Sequence, residues 1–173
     1  IITITIDSQT YTGSPLTPDV TAMHGSIPLV KDKDYTLGDY KFNLNATTES
    51  QLASVKVTGT NNYDGETTVN FKINPQPLGD ISEKFESVDT TDKEYTGNAY
   101  TPAVPDQVTI DQDTTLDKNT DYTVEYTNNT NAGLATITIT SKPGSNYTFK
   151  TINKTFTIKP KQIKINSSHY DWV

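Results

Sequence analysis

The chain has 173 residues, no cysteine and no arginine, and its 14 lysines against 21 acidic residues leave a net charge of −7. Without cysteine there can be no disulfide, thiolate metal site or Cys nucleophile; without arginine, and at this charge, nucleic acid and anionic membrane are poor partners. Hydrophobic residues make up 32%, and no apolar run reaches the roughly 18 residues that a membrane-spanning helix needs.

In chain order the sequence reads as strands and turns. Ile2, Ile4 and Ile6 alternate with Thr3 and Thr5, giving one apolar and one hydroxylated face. Tyr11-Thr12-Gly13 is a turn. Between Tyr35 and Tyr40 the chain spends one residue more than between Tyr122 and Tyr126, which a β-bulge or looser hairpin at Gly38-Asp39 would absorb. Thr47 to Leu52 has the composition for one helical turn. Ala53-Val55-Val57 and Val69-Phe71-Ile73 are strands, and Pro75-Gln76-Pro77 is a short, stiff connector. After a lead-in from Leu78 to Glu94, the turn returns as Tyr95-Thr96-Gly97. Tyr122-Val124-Tyr126, Ala135-Ile137-Ile139 and Phe156-Ile158 are strands again, with Asn128 to Gly133 a loop. Gly13, Gly65, Gly97 and Gly133, with Asn61-Asn62 and Asn128-Asn129, supply residues that tolerate positive φ. No window sustains a 3.6-residue period, so the expected fold class is all-β.

The order of these features repeats. Tyr11-Thr12-Gly13 with Thr17-Pro18, Asp34-Tyr35-Thr36, Asn62-Tyr63 and Phe71 to Pro75 return as Tyr95-Thr96-Gly97 with Thr101-Pro102, Asp121-Tyr122-Thr123, Asn146-Tyr147 and Phe156 to Pro160. The unit is about 85 residues long and occurs twice. Ile163, Ile165, Ser167 and Tyr170 repeat the spacing of Ile4, Ile6, Ser8 and Tyr11, so a third copy begins near the end. The domains are placed at 1–75, 76–160 and, truncated, 161–173. The chain has no initiator Met and is expected to be an excerpt from a longer tandem array. Two small Ig-like β-sandwich domains joined end to end are the first reading; β-grasp-like repeats are the alternative.

These motifs carry a resemblance. Tyr95 to Val104, Asp121 to Asn129, Asn131 to Ile139 and Asn146 to Ile158 resemble the MBG-type and related Ig-like tandem repeats of Gram-positive bacterial surface proteins. The second repeat matches the pattern apart from its long lead-in; the first carries Thr47 to Leu52 where Asn131-Ala132-Gly133 would be expected. The resemblance implies a secreted, wall-anchored parent of the adhesin or mucus-binding kind, with no catalytic residues to carry over.

Candidate sites are few. No metal site is expected, and the one Ca²⁺ candidate is Asp111, Asp113, Asp117, Asn119 and Asp121, whose alternating oxygens resemble the start of an EF-hand loop. Tyr122 stands where that loop needs Gly, and Asn128 where it needs Glu, so solvated turn residues are the plainer reading. Lys56 and Lys72 beside Asn70 and Asn74 raise a Lys–Asn isopeptide bond, but both lysines fall on the outward phase of their strands. His24 and His169 lie in different repeats and support neither a triad nor a zinc site. Tyr35, Tyr122 and Tyr126 belong by phase to the core, and Tyr63 and Tyr147 to a packed corner, rather than to a sugar-stacking platform with Trp172. The sequons at Asn45, Asn128, Asn146, Asn153 and Asn166 follow from an Asn- and Thr-rich composition.

The chain is therefore expected to be no enzyme. Its expected role is an extended stalk that projects the adhesive head of a bacterial surface protein. The alternative is an adhesive module that itself binds host mucin, glycoprotein or glycan. The remaining expected partners are neighbouring repeats of the same chain.

Overall fold

A computed structural model describes residues 1–164. The start of the third copy beyond Lys164, including Ile165, Asn166, Ser167, His169, Tyr170 and Trp172, lies outside the described residues. The protein is all-β: its regular elements are strands, and the four-residue 3₁₀ turn Ser82–Phe85 is the one helical element among the described residues. The chain divides into two compact units. The first holds 1–80, 119–122 and 141–150; the second holds 81–118, 123–140 and 151 onward.

In the first unit, Ile2–Thr5, Thr21–His24 and Ile27–Pro28 form one antiparallel sheet, and Tyr35–Lys41, Ala53–Gly59 and Glu66–Phe71 form another. The alternation read from sequence explains their packing. Ile4 and Ala22 of the first sheet meet Tyr35, Val55 and Val57 of the second, all turned inward by the period of two. A neighbouring cluster of Ala53, Phe71 and Ile73 is covered by Ile6, Tyr11, Leu16 and Tyr40. Two sheets burying their apolar faces against each other is the sandwich type of layering. Gln9–Thr10 runs parallel to Ile73–Asn74, and Gln76–Pro77 runs parallel to Tyr147–Thr148.

The register between Tyr35–Lys41 and Ala53–Gly59 shifts between Leu37 and Tyr40. The shift falls at Gly38-Asp39, where the sequence spends its extra residue. A side chain at Gly38 would meet Lys56 Cβ at 3.3 Å, so glycine suits the crowding at this slip.

In the second unit, Gln107–Thr109 pairs with Thr115–Asp117. A four-stranded sheet, all but Tyr122 and Ser141 in this unit, runs in the order Lys93–Glu94, Ile152–Lys159, Gly133–Ser141, Tyr122–Thr127. Strand Gly133–Ser141 alternates buried Ala135, Ile137 and Ile139 with half-buried threonines. The two repeats share register: Ala53, Val55 and Val57 face Phe71, Val69 and Thr67, as Ala135, Ile137 and Ile139 face Phe156, Lys154 and Ile152.

The lead-in from Leu78 to Glu94 contributes to the core: Ile81, Phe85 and Val88 around the 3₁₀ turn are buried, and the turn lies against Gln107–Thr109. One local expectation is revised. Thr47 to Leu52 is not helical; Thr48 and Gln51 bridge each other, and the Thr47 N–H and Oγ1 bond to the backbone of Ile73.

Candidate functional site

The acidic stretch from Asp111 to Asp121 is divided between the units, with Asp111, Asp113 and Asp117 in the second and Asn119 and Asp121 in the first. Asp111 and Asp113 form the tip of the hairpin between Gln107–Thr109 and Thr115–Asp117. There Asp111 Oδ1 accepts the Asp113 N–H at 3.0 Å. That backbone bond, then the Thr114 hydroxyl, hold the Asp111 carboxyl below its ordinary pKa. Asp117 Oδ1 accepts Gln107 Nε2 at 2.6 Å. Asn119 takes the left-handed conformation, φ 70°, and its carbonyl accepts Lys142 Nζ at 2.5 Å. Asp121 is buried and accepts the Ser145 hydroxyl at 2.6 Å. Each oxygen named is thus engaged with a turn or a neighbouring strand. Among the described residues no three acidic or histidine side chains converge as a metal-binding group.

The lysines weighed for an isopeptide bond point outward. Lys56 Nζ pairs with Glu66 at 2.5 Å with both side chains more than half exposed, and Lys72, Asn70 and Asn74 are exposed. His24 stands edge-on to Tyr63, ring centroids 5.9 Å apart, with Nδ1 3.4 Å from the Tyr63 hydroxyl.

The tyrosines are mostly structural. Tyr35 and Tyr122 are buried. Tyr40 and Tyr126 each donate their hydroxyl to a proline carbonyl, that of Pro18 and Pro102, at 2.6 Å in both repeats. Burial pushes the Tyr35, Tyr40 and Tyr126 hydroxyls above their ordinary pKa. Tyr147 packs edge-on against Tyr11, centroids 5.4 Å apart at 82°.

Places open to a ligand by shape include three among the described residues. A cleft of about 590 Å³ in the first unit lies between two edge strands, Ile2–Thr5 and Glu66–Phe71. Ile2, Ile4, Val57 and Val69 form its walls, and Asp34, Asp64 and Glu66 stand on its lining. Its Thr67 occupies the register position that Ile152 fills, buried, in the second repeat. A second hollow, about 210 Å³, adjoins Phe42 and Leu44. Phe42 is 62% exposed with φ 53°, a left-handed conformation that is an outlier for a bulky side chain. A third, about 450 Å³, lies in the second unit beside Tyr95 and Ile163.

Sequence reasoning missed Phe42, because a bulky residue does not mark a left-handed position as Gly or Asn does. Asn43 Nδ2 and carbonyl bond to the Leu16 backbone as those of Asn129 bond to the Tyr100 backbone. Phe42 therefore stands where the second repeat has Asn128, also at φ 53°. The same registration corrects the repeat alignment. Asn45-Ala46 matches Asn131-Ala132, so the first repeat does carry the Asn-Ala pair, and Thr47 to Leu52 stands against Gly133-Leu134, four residues longer. Comparison with family models, with curated proteins and with solved structures yields no match.

Proposed function

We propose that the chain is a non-catalytic stalk segment of a bacterial cell-surface adhesin, built from two tandem Ig-like β-sandwich repeats and exported to act outside the cell. The observation that carries this reading is repetition of structural devices rather than of a ligand site. The Tyr-to-Pro hydroxyl bond, the Asn43/Asn129 clamp and the positive-φ glycines of the Tyr-Thr-Gly turns, Gly13 at 83° and Gly97 at 86°, recur in both repeats. The exposed aromatics do not: Phe42 has Asn128 as its counterpart, and Tyr95 has the half-buried Tyr11. A spacer needs each module to hold its shape and to present a polar, acidic surface. It needs no shared groove.

A second reading, an adhesive module for host mucin or glycan, rests on Phe42. An exposed aromatic kept in a strained conformation beside Leu44, which is 41% exposed, is a feature that folding alone does not favour. Binding to immobilised mucin and a glycan array, with the chain monomeric and then multimerised on beads, separates the two. The stalk reading expects no saturable binding in either form. Saturable binding that is lost in Phe42→Asn overturns it and names the site.

A further inference from the structure

The pit beside Tyr95 gains meaning from the first unit, where its counterpart is filled. There Asn146-Tyr147 forms a hook. Asn146 Oδ1 accepts the Ala46 N–H at 2.8 Å, and its Nδ2 donates to Asn45 Oδ1 at 3.1 Å. Its carbonyl accepts the Gln76 N–H at 2.8 Å, and the Thr148 carbonyl accepts that of Leu78 at 2.8 Å. Tyr147 covers the ring of Tyr11 edge-on. All of these residues belong to the first unit. The hook thus reads three features at once: a tyrosine ring, an Asn-Ala pair, and the backbone that follows the closing proline.

The second unit carries the same three features. Tyr95 matches Tyr11, Asn131-Ala132 matches Asn45-Ala46, and Pro160 to Ile163 matches Pro75 to Leu78. They surround a hollow of about 450 Å³ lined by Tyr95, Ala132, Pro160, Lys161, Gln162 and Ile163, all in that unit. Tyr95 is 38% exposed and Ile163 90% exposed. The matching hook, Asn62-Tyr63, lies in the first unit, on the turn before Glu66–Phe71, and Asn62 is exposed.

We infer that the pit of the second unit is a socket for the Asn62-Tyr63 hook of a second copy of this chain. Asn62 meets Asn131 and the Ala132 N–H, Tyr63 covers Tyr95, and the Lys161 to Ile163 backbone pairs alongside Asn62 to Asp64. The contact is heterologous, so each copy offers a hook to one neighbour and a socket to another, and association runs head to tail past the dimer. It deepens the tandem-stalk reading by naming how one copy seats on the next.

In an array the connector supplies an effective concentration of the order of 1 mM, so a junction that forms in cis must also be populated in trans at about 1 mM. Sedimentation equilibrium of the full chain, from low concentration up to about that value, is the test. The expected result is a mass that climbs past the dimer with concentration. Ala132→Lys, at an exposed position in the socket, and the double change Asn62→Ala with Tyr63→Ala in the hook should each leave a monomer. An equimolar mixture of the two variants keeps one working hook and one working socket and should stop at the dimer. A wild-type chain still monomeric at the top concentration would overturn the socket, as would association undiminished in Ala132→Lys. Neither result touches mucin binding, so failure of the socket and failure of the stalk reading are read separately.

Discussion

The hydroxyl that Tyr126 donates to the Pro102 carbonyl at 2.6 Å closes the same corner in the second repeat that Tyr40 and Pro18 close in the first. Tyr126→Phe keeps the ring and removes only the donor. Pro102 is half-buried, so water can reach part of the abandoned carbonyl, and the loss should sit near the middle of the range for one net hydrogen bond, about 1 kcal/mol. For a domain of this size that is a fall of about 4–8 °C in Tm. Tyr40→Phe should cost the same, and because the two sites lie in different repeats, the double variant should lose the sum. The native tyrosine pKa is raised by burial above the ordinary value of 10.0, so the neutral, donating form is favoured. The stabilisation is then whole below pH 10 and is lost as the pH climbs through the higher native value. Urea unfolding followed by far-UV circular dichroism at neutral pH, then in steps above pH 10, measures both effects. A cost below about 0.3 kcal/mol at neutral pH, or an alkaline loss of stability unchanged in the double Phe variant, would refute the corner as a structural device.

Phe42 and Asn128 should respond in opposite directions. Phe42→Asn relieves a left-handed penalty of about 1–2 kcal/mol while forfeiting just under about 1 kcal/mol of partial ring burial, a net gain of about 0.5 kcal/mol. Asn128→Phe takes on the penalty with no packing to offset it and should lower stability by about 1–2 kcal/mol; urea midpoints of the pair give the comparison. Ser145→Ala removes the donor to the buried Asp121 carboxylate and the acceptor of the Tyr147 N–H. It should cost about 2–3 kcal/mol in thermal unfolding, and a loss within about 0.5 kcal/mol would show that other groups carry Asp121.

What was legible in the sequence follows from what a period of two can encode. Alternation in Ala53-Val55-Val57 and Ala135-Ile137-Ile139 states which face is buried, and those six residues are buried. Turn glycines and asparagines were readable because positive φ restricts residue choice so strongly: Gly13, Gly65, Asn61 and Asn128 all adopt it. Phe42 was unreadable by the same rule, since it breaks the preference that the rule relies on. The lead-in was hidden because a single 3₁₀ turn, Ser-Glu-Lys-Phe, has too few residues to show a period. Ile81, Phe85 and Val88 look like scattered residues until their burial is known. The Asn-Ala match was masked by the insertion that follows it, and only the side-chain bonds of Asn43 and Asn129 restore the alignment. The acidic stretch read as one cluster along the chain, whereas its members are spent on separate turns and on Ser145, a partner 24 residues from Asp121.

The cleft of the first unit tests whether the shared register extends to shared packing. Val57 pairs with Thr67, as Ile139 pairs with Ile152, so the side chains of Thr67 and Ile152 leave their strands toward the same face. Ile152 is 4% exposed, whereas Thr67 is exposed and lines the cleft. Thr67→Ile therefore extends an apolar group toward Ile2, Ile4 and Val57 without changing the β-branched character that the strand favours. At about 0.8 kcal/mol per buried methylene, the fill should raise stability by about 1 kcal/mol, seen as a higher Tm. A variant less stable than wild type would mean that this face of Glu66–Phe71 does not look into the sandwich as Ile152 does. The first repeat's open seam would then be a different construction from the second repeat's closed one, rather than the same construction with smaller residues.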